Sequence, residues 1–446
     1  MIEIFTIGGY TEVGKNMTAI KYNNEIVIVD MGFFLPKLIS FEEEGGDRRN
    51  LTEKGLIKLG VFPDDTLISS LKDNVKAIVL GHCHLDHIGA VPFLAPKYNC
   101  SIYGTHYTIE VLKTMMDDDK MRIKNPLVAM NTGVMKKVSD HIEIELINVT
   151  HSTLQTAMVA IHTPEGIIIY ANDFKLDSHP VIGKKPDFDR LKKLGDSGFV
   201  KALILDSLYA GDDRKTPSEK VAREMLKDVM FGTENTGNAI IATSFASHIA
   251  RIKSMVEFGE KLDRKVVILG RSMMKYIGSA EKIDLVDFSS RSEIVGYGNK
   301  VKKRLGQIQK DGKSKYLIIC TGGQGENGAI LTRIANNQLN FKFDYEDHVI
   351  FSNKTIPVPA NIEARKNLEK NLKNQKVRIF KDIHVSGHAG REDLRDLVKM
   401  IKPLNIIPAH GDSAMLNHMV DLAEEMGYVK GKNVHFCSNG SRVFLK

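Results

Sequence analysis

The chain opens on three short apolar runs, IEIFTIGG, MTAIKY and EIVIVDMG, punctuated by Gly and Asn. Runs of this length bounded by turn residues predict β-strands. VKAIVLGH is apolar almost to its histidine and predicts a strand buried on both faces. IGAVPFLAPKY then reads as the start of a helix, and CSIYGT, HIEIELINVTH, TAMVAIHT and GIIIYANDF return to the strand pattern. Many strands mixed with a few helices predict two sheets in a sandwich covered by helices. From about residue 208 the period changes. PSEKVAREMLKDVMF, SHIARIKSMVEFGEKL and MMKYIGSAEKI carry apolar residues at helical spacing, and they alternate with the buried-strand runs NAIIATSF, RKVVILG and KYLIICTGG. That βαβ pattern predicts a parallel α/β domain. After about residue 376, VRIFKDIHVSG, NIIPAHG and NVHFCSNG predict strands again, with LRDLVKMIKP and AMLNHMVDLAEEMG as helices between them. The expected division is a sandwich domain over 1–207, an inserted α/β domain over 208–375 and the rest of the sandwich over 376–446. There is no internal repeat, and EEEGG near residue 44 reads as a surface loop.

A length of 446 residues leaves room for two or three domains at about 150 residues each. No apolar run approaches the roughly 18–20 residues of a membrane span, and the N-terminus lacks the basic and apolar regions of a signal peptide. A cytoplasmic protein with no membrane role is therefore expected. Four scattered cysteines, Cys83, Cys100, Cys320 and Cys437, form no CxxC pair, which argues against a disulfide framework or a thiolate zinc finger. The net charge of +7 is compatible with a polyanionic partner and equally with none. A composition rich in Lys and Glu, without Trp, hints at a thermophilic source.

The chemistry concentrates in Gly81-His82-Cys83-His84-Leu85-Asp86-His87, at the end of a predicted buried strand. On extended backbone, residues two apart point the same way, so His82 and His84 can reach one metal. Asp86 and His87 then turn away and can serve a second. Imidazole with carboxylate suits Zn, Mn or Fe. Further candidates stand at other predicted strand ends: His151 after IEIELINVT, Asp173 after GIIIYAN and His410 in NIIPAHGD. Each taken alone is more often structural. Their order and spacing lift them.

Together with Asp30 in IVIVDMG, these residues resemble the motif series of metallo-β-lactamase-fold hydrolases over about the first 200 residues. The resemblance implies that His82, His84 and His151 hold one metal and that Asp86, His87 and His410 hold the other. Asp173 would bridge them and Asp30 would orient the loop. Zinc is the first choice of metal and manganese the second. ALILDSLYA ending in Asp206, then His384-Val385-Ser386-Gly387-His388, then Pro408-Ala409-His410-Gly411, resemble the added motifs of the β-CASP subfamily. MGFFLP followed by VFPDD, SFASHIARI, GRSM, TGGQGE and HVSGHAG resemble the ribonuclease J family, of the archaeal type, over nearly the whole chain. Bacterial members continue into a further C-terminal domain where this chain stops. The archaeal cleavage-factor relatives carry an N-terminal KH extension that is absent here.

The fold implied is a metallo-β-lactamase αββα sandwich with an inserted β-CASP domain. The activity implied is metal-dependent cleavage of single-stranded RNA, 5′→3′ from a 5′ monophosphate end. Two metals would lower the pKa of a shared water and hold the phosphate for in-line attack. Asp86 would share in catalysis through its metal. His388, kept protonated by Asp206, would give the leaving 3′ oxygen its proton, leaving 5′ phosphate and 3′ hydroxyl products. His384 and Ser386, with Ser247 from the inserted domain, would take the 5′ phosphate; Ser247 reads equally as the N-cap of the helix IARIKSM. Alternatives are an endoribonuclease of the cleavage-factor type, a DNA nuclease, and a non-catalytic RNA-binding scaffold. A homodimer and association with RNA decay or processing proteins are further expectations. Gly323-Gln-Gly325-Glu-Asn-Gly328 has the form of a dinucleotide fingerprint, but its place in the inserted domain favours the TGGQGE reading. The basic run KVKKRLGQIQKDGKSK, residues 300–315, reads first as a solvated helix face and second as a lining for RNA. His106, His141, His162, His179, His248, His348, His418 and His435 lack ligand-like context.

Overall fold

The structure, a computed structural model, describes residues 1–43, 45–47 and 50–445. Glu44, within the expected surface loop, lies outside the described residues. The chain packs as two units: Met1–Ser178, Gly183–Thr216 and Ser386–Lys446 form the first, and His179–Ile182 and Pro217–Val385 the second.

In the first unit, β1 (Ile2–Gly8), β2 (Met17–Tyr22), β3 (Glu25–Val29), β4 (Val75–Leu80), β5 (Ser101–Thr105) and β6 (Leu127–Met130) pair in sequence order. The pairs β1–β2 and β2–β3 are antiparallel, and β3 through β6 run parallel. A second sheet is built from β7 (Met135–Lys137), β8 (Glu143–Asn148), β9 (Ala157–Thr163), β10 (Gly166–Ala171) and β11 (Val200–Asp206). The chain then leaves for the second unit, where β12 (Ile240–Thr243), β13 (Lys265–Leu269), β14 (Glu293–Val295), β15 (Tyr316–Cys320), β16 (His348–Phe351) and β17 (Arg378–Phe380) form a sheet in the order β14-β13-β15-β12-β16-β17. On return, β18 (Asn405–Ala409) pairs parallel with β11, and β19 (Ser441–Leu445) closes the first sheet against β1.

The two sheets of the first unit share one core. Ile4, Ile20, Val27 and Val79 from the first meet Ile144, Val159, Ile168 and Ile204 from the second. The other face of the second sheet, including Ile169, Leu203 and Leu205, packs on Leu194, Leu397 and Val420. Those come from the helices Phe188–Asp196, Arg391–Ile401 and Ser413–Glu425. The helix His106–Asp118 covers β5 and β6. Strands buried on both faces read as unbroken apolar runs, which is why the expected αββα sandwich was visible in their composition.

Every strand contact in the second unit's sheet is parallel, as the βαβ pattern predicts. The helix Gly298–Asp311 buries Val301, Leu305 and Ile308 and exposes Lys300, Lys302, Lys303 and Lys310, whereas Lys313, past the helix end, is buried with its Nζ on Asp347 and the Lys342 carbonyl. The helix after the glycine run is only Ile330–Ala335, two residues past Gly328. A pyrophosphate would not meet a helix N-terminus there as a dinucleotide fingerprint requires.

One expected strand is shorter than its pattern and another is absent. VRIFKDIHVSG is strand only over β17. Asp382 adopts φ 61°, and the Ile383 carbonyl accepts from Arg251 Nη1 and Ser352 Oγ instead of a sheet neighbour. NVHFCSNG makes only the isolated bridges of Val434, to Ile406 and to Lys430. Its backbone then turns at Gly440, and Asn439 is held by Tyr10 N–H and Glu12. The strand is the next segment, β19. IGAVPFLAPKY gives only the single turn Val91–Leu94 with a 3₁₀ turn after it.

Candidate metal centre

Each nominated ligand stands just past the C-terminal end of a strand of the first unit. Parallel alignment carries those ends to one edge. His82 follows β4, His151 follows β8, Asp173 follows β10, Asp206 ends β11 and His410 follows β18. His84 precedes the one-turn helix Leu85–Ile88, which carries Asp86 and His87. This turn must pass close to the β3 end, and Gly32 allows it: a Cβ there would fall 1.6 Å from the Asp86 carbonyl oxygen. Asp30, Asp173 and His410 all have left-handed backbone, with φ of 60°, 52° and 53°. Non-glycine residues held in this way are a strain that surrounding contacts must sustain.

The structure brings the ligands together in two sets. In the first, His84 Nδ1 lies 3.1 Å from His82 Nε2 and 3.2 Å from His151 Nε2. Asp173 Oδ2 is 3.4 Å from His82 Nε2 and 3.6 Å from His151 Nε2. In the second, His87 Nε2 is 3.2 Å from Asp173 Oδ2 and 3.6 Å from Asp86 Oδ2, and His410 Nε2 is 3.3 Å from Asp173 Oδ1. Ligand bonds of about 2.0–2.1 Å in a tetrahedron give edges of roughly 3.3–3.4 Å, so both sets have the dimensions of a small divalent cation's shell. Asp173 belongs to both. Its Oδ1 and His82 Nδ1 are buried without a hydrogen bond, and for Oδ1 a cation would supply the missing partner.

Outer contacts set which ring nitrogen faces each set. His87 Nδ1 donates to Asp30 Oδ2 at 2.6 Å, and Asp30 Oδ1 accepts from Gly81 N–H at 2.9 Å. His151 Nδ1 donates to the Gly387 carbonyl at 2.7 Å. His151 therefore turns an unprotonated Nε2 inward, and His87 would do the same once a cation replaces the proton on its Nε2. A Cβ on Gly387 would lie 2.9 Å from His151 Nδ1, so the approach requires glycine.

Burial, joined by the charges of neighbouring histidines, holds His82 and His151 well below the usual histidine range. Burial likewise brings His84 down to about 4. Three neutral imidazoles thus offer lone pairs. At His87 burial opposes charge, but Asp173, Asp86 and Asp30 outweigh it and favour the imidazolium. The second set therefore attracts positive charge, which a divalent cation can supply in place of a proton.

Beside both sets, Asp206 Oδ2 accepts from His388 Nδ1 at 2.8 Å, and Asp206 Oδ1 accepts from Leu208 N–H. The His388 ring lies 4.8 Å from that of His151 and 5.6 Å from that of His410. Burial works against its charge, yet Asp173 and Asp206 push its pKa up to about 9. Ser386 Oγ accepts from His388 N–H at 3.0 Å. His384 and Ser247 belong to the second unit. The ring of His384 lies 6.4 Å from that of Phe245. Ser247 is not the N-cap; His248 holds that position before Ile249–Lys261. Among the described residues, none of the other histidines joins a ligand set.

Sequence reasoning missed Asn16 and Asn172, both buried among the ligands. Their only signal was a polar residue flanking a strand, which turn residues also give.

Residues 10–182 match the metallo-beta-lactamase superfamily, residues 237–370 the ribonuclease J beta-CASP domain, and residues 375–436 the Zn-dependent metallo-hydrolase RNA specificity domain. The sandwich with its strand-edge His and Asp sets is thus a metallo-β-lactamase domain carrying a β-CASP insertion. The chain is 45% identical over 440 residues to ribonuclease J of Methanocaldococcus jannaschii, covering 98% of each chain. It is also 45% identical over 445 residues to ribonuclease J of Pyrococcus abyssi, covering 99% of this chain and 97% of that one. It belongs to the ribonuclease J family. A crystal structure of a protein of unknown function from Enterococcus faecalis shares the fold, at TM-score 0.66 and 16% identity over 99% of both chains. No helix among the described residues is long and apolar enough to cross a membrane.

Proposed function

We propose that the chain is a metal-dependent ribonuclease that degrades single-stranded RNA 5′→3′ from monophosphorylated ends. The observation that carries phosphodiester chemistry is the Asp206–His388 pair set against the rings of His151 and His410. Divalent cations, zinc before manganese, held by His82, His84 and His151 and by Asp86, His87 and His410, with Asp173 shared, would polarise the phosphate and lower the pKa of the attacking water. The chain's own contribution is the proton. As the P–O3′ bond breaks, His388 Nε2–H protonates the departing 3′ oxygen, while Asp206 holds Nδ1 and stabilises the charged ring until the proton is lost. Asp30 keeps His87 in the tautomer that faces inward. The products carry a 5′ phosphate and a 3′ hydroxyl.

Family resemblance nominates His384, Ser386 and Ser247 for the 5′ phosphate. Ser386 Oγ already accepts one hydrogen bond, so its own hydroxyl hydrogen remains to donate to a phosphate oxygen. The test is digestion of 3′-labelled RNA bearing 5′ monophosphate, triphosphate or hydroxyl. The monophosphate substrate is consumed fastest and without internal fragments. In Ser386→Ala and His384→Ala that preference drops by roughly 10–100-fold, the worth of a hydrogen bond to a charged group of ~1.5–3 kcal/mol. Equal internal cutting of all three substrates points instead to a cleavage-factor type endonuclease. RNA binding without cleavage after zinc or manganese loading points to a scaffold.

A further inference from the structure

Asn16 is fully buried between the residues of the second ligand set, and both heavy atoms of its amide lie within hydrogen-bonding distance of them. Its Oδ1 accepts from His410 Nδ1 at 3.1 Å and from Asn172 Nδ2 at 3.2 Å. Its Nδ2 donates to the Asp86 carbonyl at 3.0 Å and faces His87 Nε2 at 3.1 Å. The main chain is fixed as well: Asn16 N–H donates to the Asp86 carbonyl at 3.0 Å, and the Asn16 carbonyl accepts from Gly32 N–H. One residue therefore touches the backbone or ring of all three ligands particular to that set. In the first set, by contrast, His82 Nδ1 is buried without a hydrogen-bond partner.

We propose that Asn16 is a positioning residue that assembles the second cation site, by fixing the tautomer of His410 and tying it to the Asp86–His87 turn. This rests on the reading of the two sets as metal sites. An oxygen acceptor at His410 Nδ1 obliges that nitrogen to carry the hydrogen, so Nε2 turns its lone pair toward Asp173. The amide is suited to both tasks. An aspartate could accept from His410 but could not donate to the Asp86 carbonyl. An aliphatic residue could do neither, and either ring tautomer of His410 would then be open. The structural alternative is a buried asparagine that merely satisfies loop backbone; it predicts that both sets suffer alike when the residue is replaced.

The discriminating measurement is equilibrium titration of chelator-stripped protein with Co²⁺, followed through its visible absorption and by bound-metal analysis. Asn16→Ala weakens the second Co²⁺ by roughly 10–100-fold, as outer partners of ligands commonly do, and leaves the first unchanged. Asn16→Asp, which keeps the acceptor for His410 but loses the donor to the Asp86 carbonyl, recovers part of that affinity. Near-ultraviolet circular dichroism reports whether each variant is folded; if alanine is not tolerated, Asn16→Ser against Asn16→Asp makes the same comparison. Wild-type affinities at both sites in Asn16→Ala overturn the inference, as does an equal loss at both sites. Wild-type protein taking fewer than two Co²⁺ overturns the metal reading beneath it.

Discussion

Replacing His388 by alanine lowers turnover on 5′-monophosphorylated RNA by roughly 10²–10⁴-fold, the usual worth of a positioned general acid, while bound metal stays at the wild-type level. The expectation follows from separation. His388 pairs with Asp206, and its ring packs against His151 and His410, but every nitrogen and oxygen of the two ligand sets comes from another residue. Asp206→Asn keeps the contact but removes the charge that stabilises the imidazolium. Asp173 also raises the His388 pKa, but cations held by Asp173 would offset that attraction and leave Asp206 as the group that retains the proton. A protonated acid is available below its pKa, so the alkaline limb of kcat/KM lies at lower pH in Asp206→Asn than in wild type. An unchanged limb, or loss of metal from His388→Ala, would show that the dyad has another role.

How much of this centre could be read from the chain depends on how each residue acts. His82, His84, Asp86 and His87 lie within one short segment, so local geometry was enough. His151, Asp173 and His410 were visible because parallel strands deliver their C-terminal ends to one edge, and each stood at such an end. Contacts made by a carbonyl leave no such trace. Gly387 orients His151 through its backbone oxygen from 236 residues away, and nothing about a glycine announces an acceptor. Asn16 supports His410 across 394 residues with a side chain equally at home in a turn. The strand errors have a related origin. VRIFKDIHVSG alternates like a strand, but Arg251 and Ser352 take the Ile383 carbonyl that a ladder would use, and no local pattern reports a competing donor from a distant helix.

That same arginine predicts the largest stability effect. Arg251→Met destabilises the inserted unit by about 3–5 kcal/mol at neutral pH, the usual consequence of removing one partner of a buried ion pair. Arg251 has no exposed surface. It donates to both oxygens of Glu219, at 2.6 and 2.8 Å, and to Ser352 O, Ser352 Oγ and Ile383 O. Glu219 is buried too, with His248 3.4 Å away. Burial alone would raise the Glu219 pKa; His248 and then Arg251 outweigh it and hold the carboxyl well below its ordinary range. A depressed carboxylate contributes fully above its unfolded value of about 4.3 and loses that contribution as pH falls through the folded value. In the methionine variant the sign reverses in part: Glu219 keeps His248 but loses its bidentate partner, so its pKa rises and protonation relieves the defect. The difference from wild type is therefore greatest near pH 7 and narrows toward pH 4. Adding Glu219→Gln to Arg251→Met removes the buried charge and recovers part of the loss, because a neutral amide costs less to bury than a carboxylate that has lost its guanidinium partner. Calorimetry and urea titration of the single and double variants at both pH values measure this. A deficit that does not depend on pH, or a double variant no more stable than Arg251→Met, would mean that Arg251 acts through its bonds to Ser352 and Ile383 and through packing, with the ion pair contributing little.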